Sequence, residues 1–212
     1  MDDEFKRFYP RILIGLKDFI VKDIWCGNEH SLAITIEGNI FAWGNNKTKQ
    51  LGIGYNTPSF VSQPTRVYNI KNVTQISCGY EHSVALTQDG DLYSWGHGEG
   101  GLLGHGELDD QAVPKLIKEF KKKKLTITKV AWGGLHTLAI SDDGELFTWG
   151  RGEGGQLGLS KKALVSLERL DLGISVPISI IKDKTIIDIA AGVAHSIALS
   201  EDGRVYGWGN SN

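Results

Sequence analysis

The chain has 212 residues, of which 23 are Lys or Arg and 25 are Asp or Glu, giving a formal net charge of −2. This balance provides no field of one sign that would attract nucleic acid or a membrane surface. No stretch approaches the roughly 18 apolar residues of a transmembrane helix, and Met1 to Glu4 do not resemble a signal peptide. We therefore expect an intracellular protein, cytoplasmic or nuclear, with no membrane or nucleic-acid partner.

Along the chain, strand-forming segments occur in four groups of four. Each group begins with a Pro-led segment: Pro10 to Leu13, Pro64 to Val67, Pro114 to Ile117 and Pro177 to Ile180. An apolar run follows: Val21 to Cys26, Val73 to Cys78, Thr126 to Trp132 and Ile186 to Ala191. The last two segments, such as His30 to Thr35 and Asn39 to Trp43, flank an Asp-Gly or Glu-Gly pair, which predicts a tight hairpin. Four antiparallel strands per group predict a propeller blade.

An 18-residue phrase within these groups recurs four times with unchanged internal spacing, beginning at Gly27, Gly79, Gly133 and Gly192. In each copy a His lies three residues after the Gly, and a Trp lies thirteen residues after the His. These residues are His30, His82, His136 and His195, and Trp43, Trp95, Trp149 and Trp208. The copies start 52, 54 and 59 residues apart, a period that indicates propeller blades. We predict an all-β fold, a β-propeller of four-stranded antiparallel blades, with one repeat domain over residues 1–212 and blade units at about 10–52, 64–104, 114–158 and 177–212.

Two phrases carry a resemblance to a known family. They are residues 26–34, Cys-Gly-Asn-Glu-His-Ser-Leu-Ala-Ile, and residues 147–158, Phe-Thr-Trp-Gly-Arg-Gly-Glu-Gly-Gly-Gln-Leu-Gly. Over nearly its whole length the chain resembles the repeat of the regulator of chromosome condensation family. The resemblance implies a seven-bladed β-propeller, of which about four units are present. We expect a partial propeller that is a fragment of a larger one. The alternatives are self-association into a composite ring and an open arc stabilised by a partner.

The repeated residues have structural explanations. One His per blade, without a recurring Cys or Asp at ligand spacing, would lie on a ring too wide for one ion, so no metal site is expected. We expect each imidazole to hydrogen-bond backbone near its own hairpin, and each Trp to fill space between adjacent blades. No catalytic constellation recurs at a usable spacing, so we predict neither catalytic residues nor cofactors, and no enzyme.

Two further functions are not expected. The plant ultraviolet sensor of the family carries Trp two residues before the repeat His, whereas this chain has Asn28, Tyr80, Gly134 and Val193 there. The basic run Lys121 to Lys124 follows several acidic residues and predicts a solvated loop or a lysine-protected strand edge, not a DNA contact.

Glu29 and Glu81 stand immediately before the repeat His in the first two copies. In exchange factors of the family, acids near this loop and some repeat histidines face a Ran-type GTPase. By resemblance, Glu29, His30, Glu81 and His82 are candidate partner-facing residues. We predict a protein-interaction module that binds a protein partner through loops on one face. The alternatives are guanine-nucleotide exchange on a Ran-type small GTPase and substrate recruitment for a ubiquitin ligase. An exchange factor would carry a wedge-like insertion, but the longest connection, within residues 159–184, is predicted to be partly packed.

Overall fold

The computed structural model describes residues 10–160, residue 163 and residues 174–210. Its strands form four separate antiparallel sheets, each of them a propeller blade, which confirms the predicted all-β propeller fold. Blade 1 contains β1 (Val21–Cys26), β2 (His30–Thr35), β3 (Ile40–Asn45) and β4 (Phe60–Val67). Blade 2 contains β5 (Val73–Cys78), β6 (His82–Thr87), β7 (Leu92–Gly96) and β8 (Gln111–Leu116). Blade 3 contains β9 (Ile127–Trp132), β10 (His136–Ser141), β11 (Leu146–Gly150) and β12 (Ile174–Ile180). Blade 4 contains β13 (Ile186–Ala191), β14 (His195–Ser200) and β15 (Val205–Gly209). The predicted packing of the longest connection falls largely on residues 164–173, outside the described residues.

Consecutive blades stand side by side in an arc, because the first strand of each blade contacts the first strand of the next. The hydrophobic clusters lie between blades. For example, Leu32 and Ile34 of blade 1 pack with Ile76 and Ala85 of blade 2. The facing sides of consecutive blades are therefore apolar, and each blade removes the facing side of its neighbour from water. We name the three contacts seam 1–2, seam 2–3 and seam 3–4 after the blades that they join.

The Pro-led strands belong to other blades than predicted. β4, β8 and β12 pair with β3, β7 and β11, so each is the outer strand of the blade before it, and the predicted blade units are wrong in this respect. Proline is tolerated at such an outer edge because its missing N–H has no further strand to bond. Residues 10–13 form no strand.

Strand direction assigns every loop to one of two faces of the arc. The loops between first and second strands, residues 27–29, 79–81, 133–135 and 192–194, emerge at one face, which we call the loop face. The connections from third to outer strands, residues 46–59 and 97–110, emerge there too, as does the described start of the third connection, residues 151–160. The Asp-Gly or Glu-Gly hairpins and the links to the next blade emerge at the opposite face, which we call the hairpin face. The long connections of blades 1 and 2 therefore both lie on the loop face.

The basic run forms a helix, which corrects the predicted loop or strand edge. α1 (Lys118–Lys123) buries Phe120 against the rings of Phe147 and Trp149, at centroid distances of 5.2 and 5.9 Å. Lys121 pairs with Asp91 at 2.6 Å. Packing of the single aromatic residue thus holds the helix on blade 3. Among the described residues, no helix has the length and apolar character required to cross a membrane.

Candidate partner-binding face and the seams that position it

The repeat Gly and His form one packing unit at the start of each second strand. A Cβ atom on the Gly would lie 2.1 to 2.2 Å from Cε1 of the His three residues later; the glycines are Gly27, Gly79, Gly133 and Gly192. No side chain fits at that distance, so only glycine lets the ring fold back over its own loop. This contact explains the Gly-x-x-His spacing.

Seam 1–2 is closed by hydrogen bonds that converge on one carbonyl. Ser83 of blade 2 donates to the backbone oxygen of Gln50 at 2.7 Å, and Nε1 of Trp95 donates to the same oxygen at 3.0 Å. The Ser83 hydroxyl therefore accepts from Nε2 of His30, 3.0 Å away. Burial lowers the pKa of His30 to about 4, so at neutral pH the ring is uncharged and carries its proton on Nε2.

Seam 3–4 repeats this arrangement. Nε2 of His136 lies 2.8 Å from Oγ of Ser196, which donates to the backbone oxygen of Gln156 at 2.9 Å. Nε1 of Trp208 donates to the same oxygen at 2.8 Å. Burial lowers the pKa of His136 to about 4, with a smaller contribution from His195. Seams 1–2 and 3–4 thus contain the same interaction, a hydrogen bond between a His of one blade and a Ser hydroxyl of the next.

Seam 2–3 is built differently. Trp132 occupies the position that holds Cys78 in seam 1–2, and its ring lies 4.7 Å from the ring of His82 and 6.4 Å from that of Trp149. Both nitrogens of His82, Oγ1 of Thr137 and Nε1 of Trp132 are buried without a hydrogen-bond partner. Burial first, and then the neighbouring histidines, lower the pKa of His82 to about 3. Aromatic packing replaces the His–hydroxyl bond in this seam.

Two features of the predicted histidines need correction. His30 and His82 are 3% and 0% exposed, so their rings lie inside the seams and cannot face a partner. The predicted backbone partners near each hairpin are also wrong for His30 and His136, because a hydroxyl of the next blade is the partner. The rings lie inside because the seam around them is apolar and because the glycine beneath each ring leaves space for it.

Glu29 and Glu81, in contrast, are exposed on the loop face, where their role as partner-facing residues stays a prediction. The backbone beneath them is fixed. The carbonyl of Glu29 accepts from the N–H of Asn45 at 2.8 Å, and that of Glu81 accepts from the N–H of His97 at 2.9 Å. The side chain of Asn45 also donates to Glu29 at 2.5 Å. The two carboxylates therefore project from short loops of defined geometry.

Tyr80, next to Glu81, is a surface residue that the sequence analysis did not single out as a partner contact. Its side chain is 39% exposed, and its ring lies over the loop of blade 3, where a Cβ on Gly134 would be only 3.0 Å from it. Its backbone bonds the loops on both sides, from Asn28 and to Gly134, at 3.4 Å each. The available signal was an aromatic residue at a repeat position where the other copies have Asn28, Gly134 and Val193.

Charged side chains on the loop face connect blades 2 and 3. His97 lies 3.0 Å from Asp110 and 3.4 Å from Glu99, and Arg151 of the next blade lies 3.3 Å from Glu99. Such exposed pairs contribute little to stability.

The inner side of the arc contains a hollow of about 470 Å³. It is lined by the ends of the first strands and by the loops that follow them, including the free cysteines Cys26 and Cys78. Within the described part of the chain, no three His, Cys, Asp or Glu side chains are grouped so as to hold a metal ion.

Repeated four-stranded blades arranged in an arc define a β-propeller assembled from sequence repeats. The family model of the RCC1-like domain matches residues 3–172, and that of the regulator of chromosome condensation (RCC1) repeat matches residues 186–212. The chain belongs to this family of RCC1-repeat propellers.

Known proteins agree with this assignment. The chain is 37% identical over 202 residues to the ultraviolet-B receptor UVR8 of Arabidopsis thaliana, covering 95% of this chain and 44% of that protein. It is 35% identical to the probable E3 ubiquitin-protein ligase HERC6 of Homo sapiens, covering 95% and 19%. The solved structure of Prp20p from Saccharomyces cerevisiae superposes with a TM-score of 0.76 at 27% identity, covering 91% and 46%. The chain therefore spans less than half the length of these relatives.

Proposed function

We propose that the chain is a protein-interaction module whose loop face binds a protein partner. The observation that carries the proposal is the exposed group Glu29, Tyr80 and Glu81, which stands on three-residue loops whose backbone is fixed by hydrogen bonds. A loop backbone that is held in place before binding loses little conformational entropy when a partner arrives. Tyrosine is also enriched at protein–protein contacts, because it combines a large apolar ring with a polar hydroxyl.

A photocrosslinking amino acid at position 80 tests this proposal, and the chain offers a matched control. Tyr68 is 65% exposed, but it lies in the link after β4, on the hairpin face. Each tyrosine is replaced separately by the photocrosslinker in cells that produce the protein. We expect discrete adducts from position 80 and none of the same mass from position 68. Equal adducts from both positions, or none from position 80, would overturn the proposal.

The carboxylates are tested in the same experiment. Glu29→Lys together with Glu81→Lys reverses the charge on both sides of Tyr80 without touching a buried residue. We expect the adduct from position 80 to fall several-fold while the thermal unfolding temperature changes little. An unchanged adduct would show that the partner does not contact these loops.

A second candidate function is guanine-nucleotide exchange on a Ran-type small GTPase. Similarity to Prp20p, whose structure was studied with its binding to Gsp1p and histones, favours it. An exchange factor binds the nucleotide-free GTPase more tightly than the loaded form, and this difference weakens nucleotide binding. The test is the release rate of fluorescent GDP from a Ran-type GTPase. Acceleration of GDP release that is lost in the Glu29→Lys, Glu81→Lys variant supports exchange. If micromolar concentrations of the chain do not accelerate GDP release, this candidate function is excluded.

Substrate recruitment for a ubiquitin ligase is the third candidate, and it derives from the similarity to HERC6. It predicts the same loop-face adducts, with a captured partner that is ubiquitinated in the cell. A partner whose ubiquitination does not depend on the chain would exclude this role.

A further inference from the structure

One link between consecutive blades is longer than the fold requires. The link from β4 to β5 contains the five residues 68–72, and the link from β12 to β13 contains the five residues 181–185. The link from β8 to β9 contains ten, residues 117–126. Since five residues are enough to join two blades, the additional residues of this link, which include α1, are not needed to build the propeller. α1 is thus an insertion on the hairpin face.

The insertion carries a concentrated positive charge. Residues 118–124 contain five lysines and one glutamate, which gives this segment a formal charge of +4 in a chain whose formal net charge is −2. On a helix, residues three and four positions apart are neighbours, so Lys118 lies next to both Lys121 and Lys122. These three lysines are exposed, and so is Lys124 at the end of the helix. The outer side of α1 is therefore a basic surface.

Packing fixes this basic surface on the propeller. A helix of six residues is not stable alone in water, but Phe120 is 2% exposed and belongs to the hydrophobic cluster of seam 2–3. At the C-terminal end, the N–H of Lys124 donates to the carbonyls of Phe120 and Lys121. Nζ of Lys123 lies 5.3 Å from the centroid of the Phe147 ring. The backbone that carries the lysines is thus held in place before a partner binds, which lowers the entropic cost of binding.

Acidic hairpins limit the width of the basic surface. Near the middle of the helix, Asp91 pairs with Lys121 at 2.6 Å, and Asp89 belongs to the same hairpin. At the end of the link, the N–H of Asp142 in the next hairpin donates to the Thr126 carbonyl at 2.8 Å. A flat anionic membrane or a long nucleic-acid backbone would approach these carboxylates together with the lysines and would be repelled by them. A short acidic peptide segment can contact the lysines alone.

We propose that α1 binds an acidic segment of a partner protein through Lys118, Lys122 and Lys124. The side chain of Lys122 is 74% exposed and lies 4.0 Å from Glu119, so its charge is accessible to a second carboxylate. The ammonium group of lysine is a compact charge with rotatable donors, so this surface selects negative charge and does not require one fixed orientation of each carboxylate. Because the hairpin face is opposite the loop face, both faces can be occupied at once.

Fluorescence anisotropy with a labelled octaglutamate peptide tests the proposal. We expect saturable binding of one peptide per chain at low ionic strength, and weaker binding as salt is added. Lys122→Gln together with Lys124→Gln removes two exposed charges from the insertion and is expected to weaken binding about fivefold. Lys71→Gln together with Lys182→Gln removes two exposed charges from the other links of the hairpin face and is the matched control, with an expected change below about twofold. Equal weakening in both variants, or no saturable binding, overturns the proposal.

Two further probes distinguish an acidic peptide from other anions. Vesicles that contain phosphatidylserine and a short DNA duplex are each offered to the unmodified chain at the same ionic strength. We expect both to bind more weakly than octaglutamate. If vesicles or DNA bind more tightly, and the Lys122→Gln, Lys124→Gln variant loses that binding, α1 is a phosphate-binding surface and the proposed acidic segment is wrong.

The contribution of packing is tested with the link alone. A synthetic peptide of residues 117–126 has the same charges as the link but no blade on which Phe120 can pack. We expect this peptide to bind octaglutamate several-fold more weakly than the whole chain does. Equal affinity would mean that charge alone accounts for binding, and it would contradict a binding surface that is fixed by the fold.

Discussion

Seam 1–2 and seam 2–3 start from the same sequence repeat and are stabilised in different ways. In seam 1–2, His30 bonds Ser83, which bonds the Gln50 carbonyl. In seam 2–3, His82 makes no hydrogen bond and packs against Trp132 instead. The Gly-His unit is a property of one blade, but the group that satisfies the ring comes from the next blade. A repeat can therefore keep its local structure while the contact between blades changes from a polar bond to aromatic packing.

The inner strands do not explain this difference, because each seam has a comparable tether there. Lys22 donates to the Thr74 carbonyl at 3.1 Å, and Gln75 donates to the Thr128 carbonyl at 3.3 Å. Seam 3–4 has an ion pair from Lys129 to Asp188 at 2.8 Å. These contacts are exposed and contribute little. The buried residues of each seam determine its strength.

Among single substitutions, the largest effect is expected from the loss of the Trp132 ring. Trp132→Ala removes the main contact of seam 2–3 and leaves a cavity between His82 and Trp149, so we expect the free energy of unfolding to fall by about 3 to 5 kcal/mol. Cys78→Ala, the same position in seam 1–2, is the matched control and should cost about 1 kcal/mol or less. Urea denaturation of both variants provides the comparison. Similar losses would mean that the two seams do not differ in how they are stabilised.

Acid should weaken all three seams. The folded-state pKa values of His30, His82 and His136 lie at about 4, 3 and 4, below the unfolded value near 6.5. The unfolded chain therefore binds more protons between pH 6.5 and pH 4, and stability that is complete above pH 6.5 is lost as the pH falls through this window. We expect a loss on the order of 2 kcal/mol per histidine at pH 5. Urea midpoints measured from pH 7.5 to pH 5 test this, and a flat profile would contradict the burial of the rings.

The strands and their spacing could be predicted from the sequence, because each short-range signal acts within one blade. β1, β2 and β5 have the predicted bounds, since the Asp-Gly or Glu-Gly turn and the apolar runs determine them locally. The boundary between consecutive blades, and therefore the blade to which each Pro-led strand belongs, could not be predicted. A period of about 50 residues is the same wherever the repeat is divided, so it does not show that Pro64 belongs to the sheet before it.

The seams were harder to predict for a similar reason. The Ser or Thr after each His is visible in the sequence, but only the structure shows that Ser83 serves His30 of another blade. Trp132 was also visible, as the one large side chain at a position that otherwise holds Cys26, Cys78 and Ala191. What could not be inferred is that its ring would take the place of a hydrogen bond.

The hydroxyl groups of the two seams should differ in their energetic role. Ser83→Ala removes the bond to His30 and leaves its Nε2–H buried and unpaired, so we expect a loss of about 1 to 3 kcal/mol. Thr137→Ala removes a hydroxyl that has no partner, and its cost should stay within about 0.5 kcal/mol. Ser196→Ala in seam 3–4 should repeat the result of Ser83→Ala. The comparison fails if Thr137→Ala is as costly as the two serine variants.

A small effect is also expected for the ring of His82 itself. His82→Phe keeps an aromatic ring against Trp132 and removes two buried nitrogens that have no partner, so at pH 7.5 its cost should be about 1 kcal/mol or less. His30→Phe leaves the Ser83 hydroxyl without its donor and should cost more. The pH profile sharpens this test, because His82→Phe also removes one of the three seam histidines whose pKa is lowered by burial. Between pH 7.5 and pH 5, the variant should therefore lose less stability than the parent chain, and the difference should be about the contribution of one histidine. If His82→Phe proved as costly as His30→Phe at pH 7.5, the ring of His82 would have to be hydrogen-bonded in solution, and the two seams would differ in side chains but not in the way they are held together.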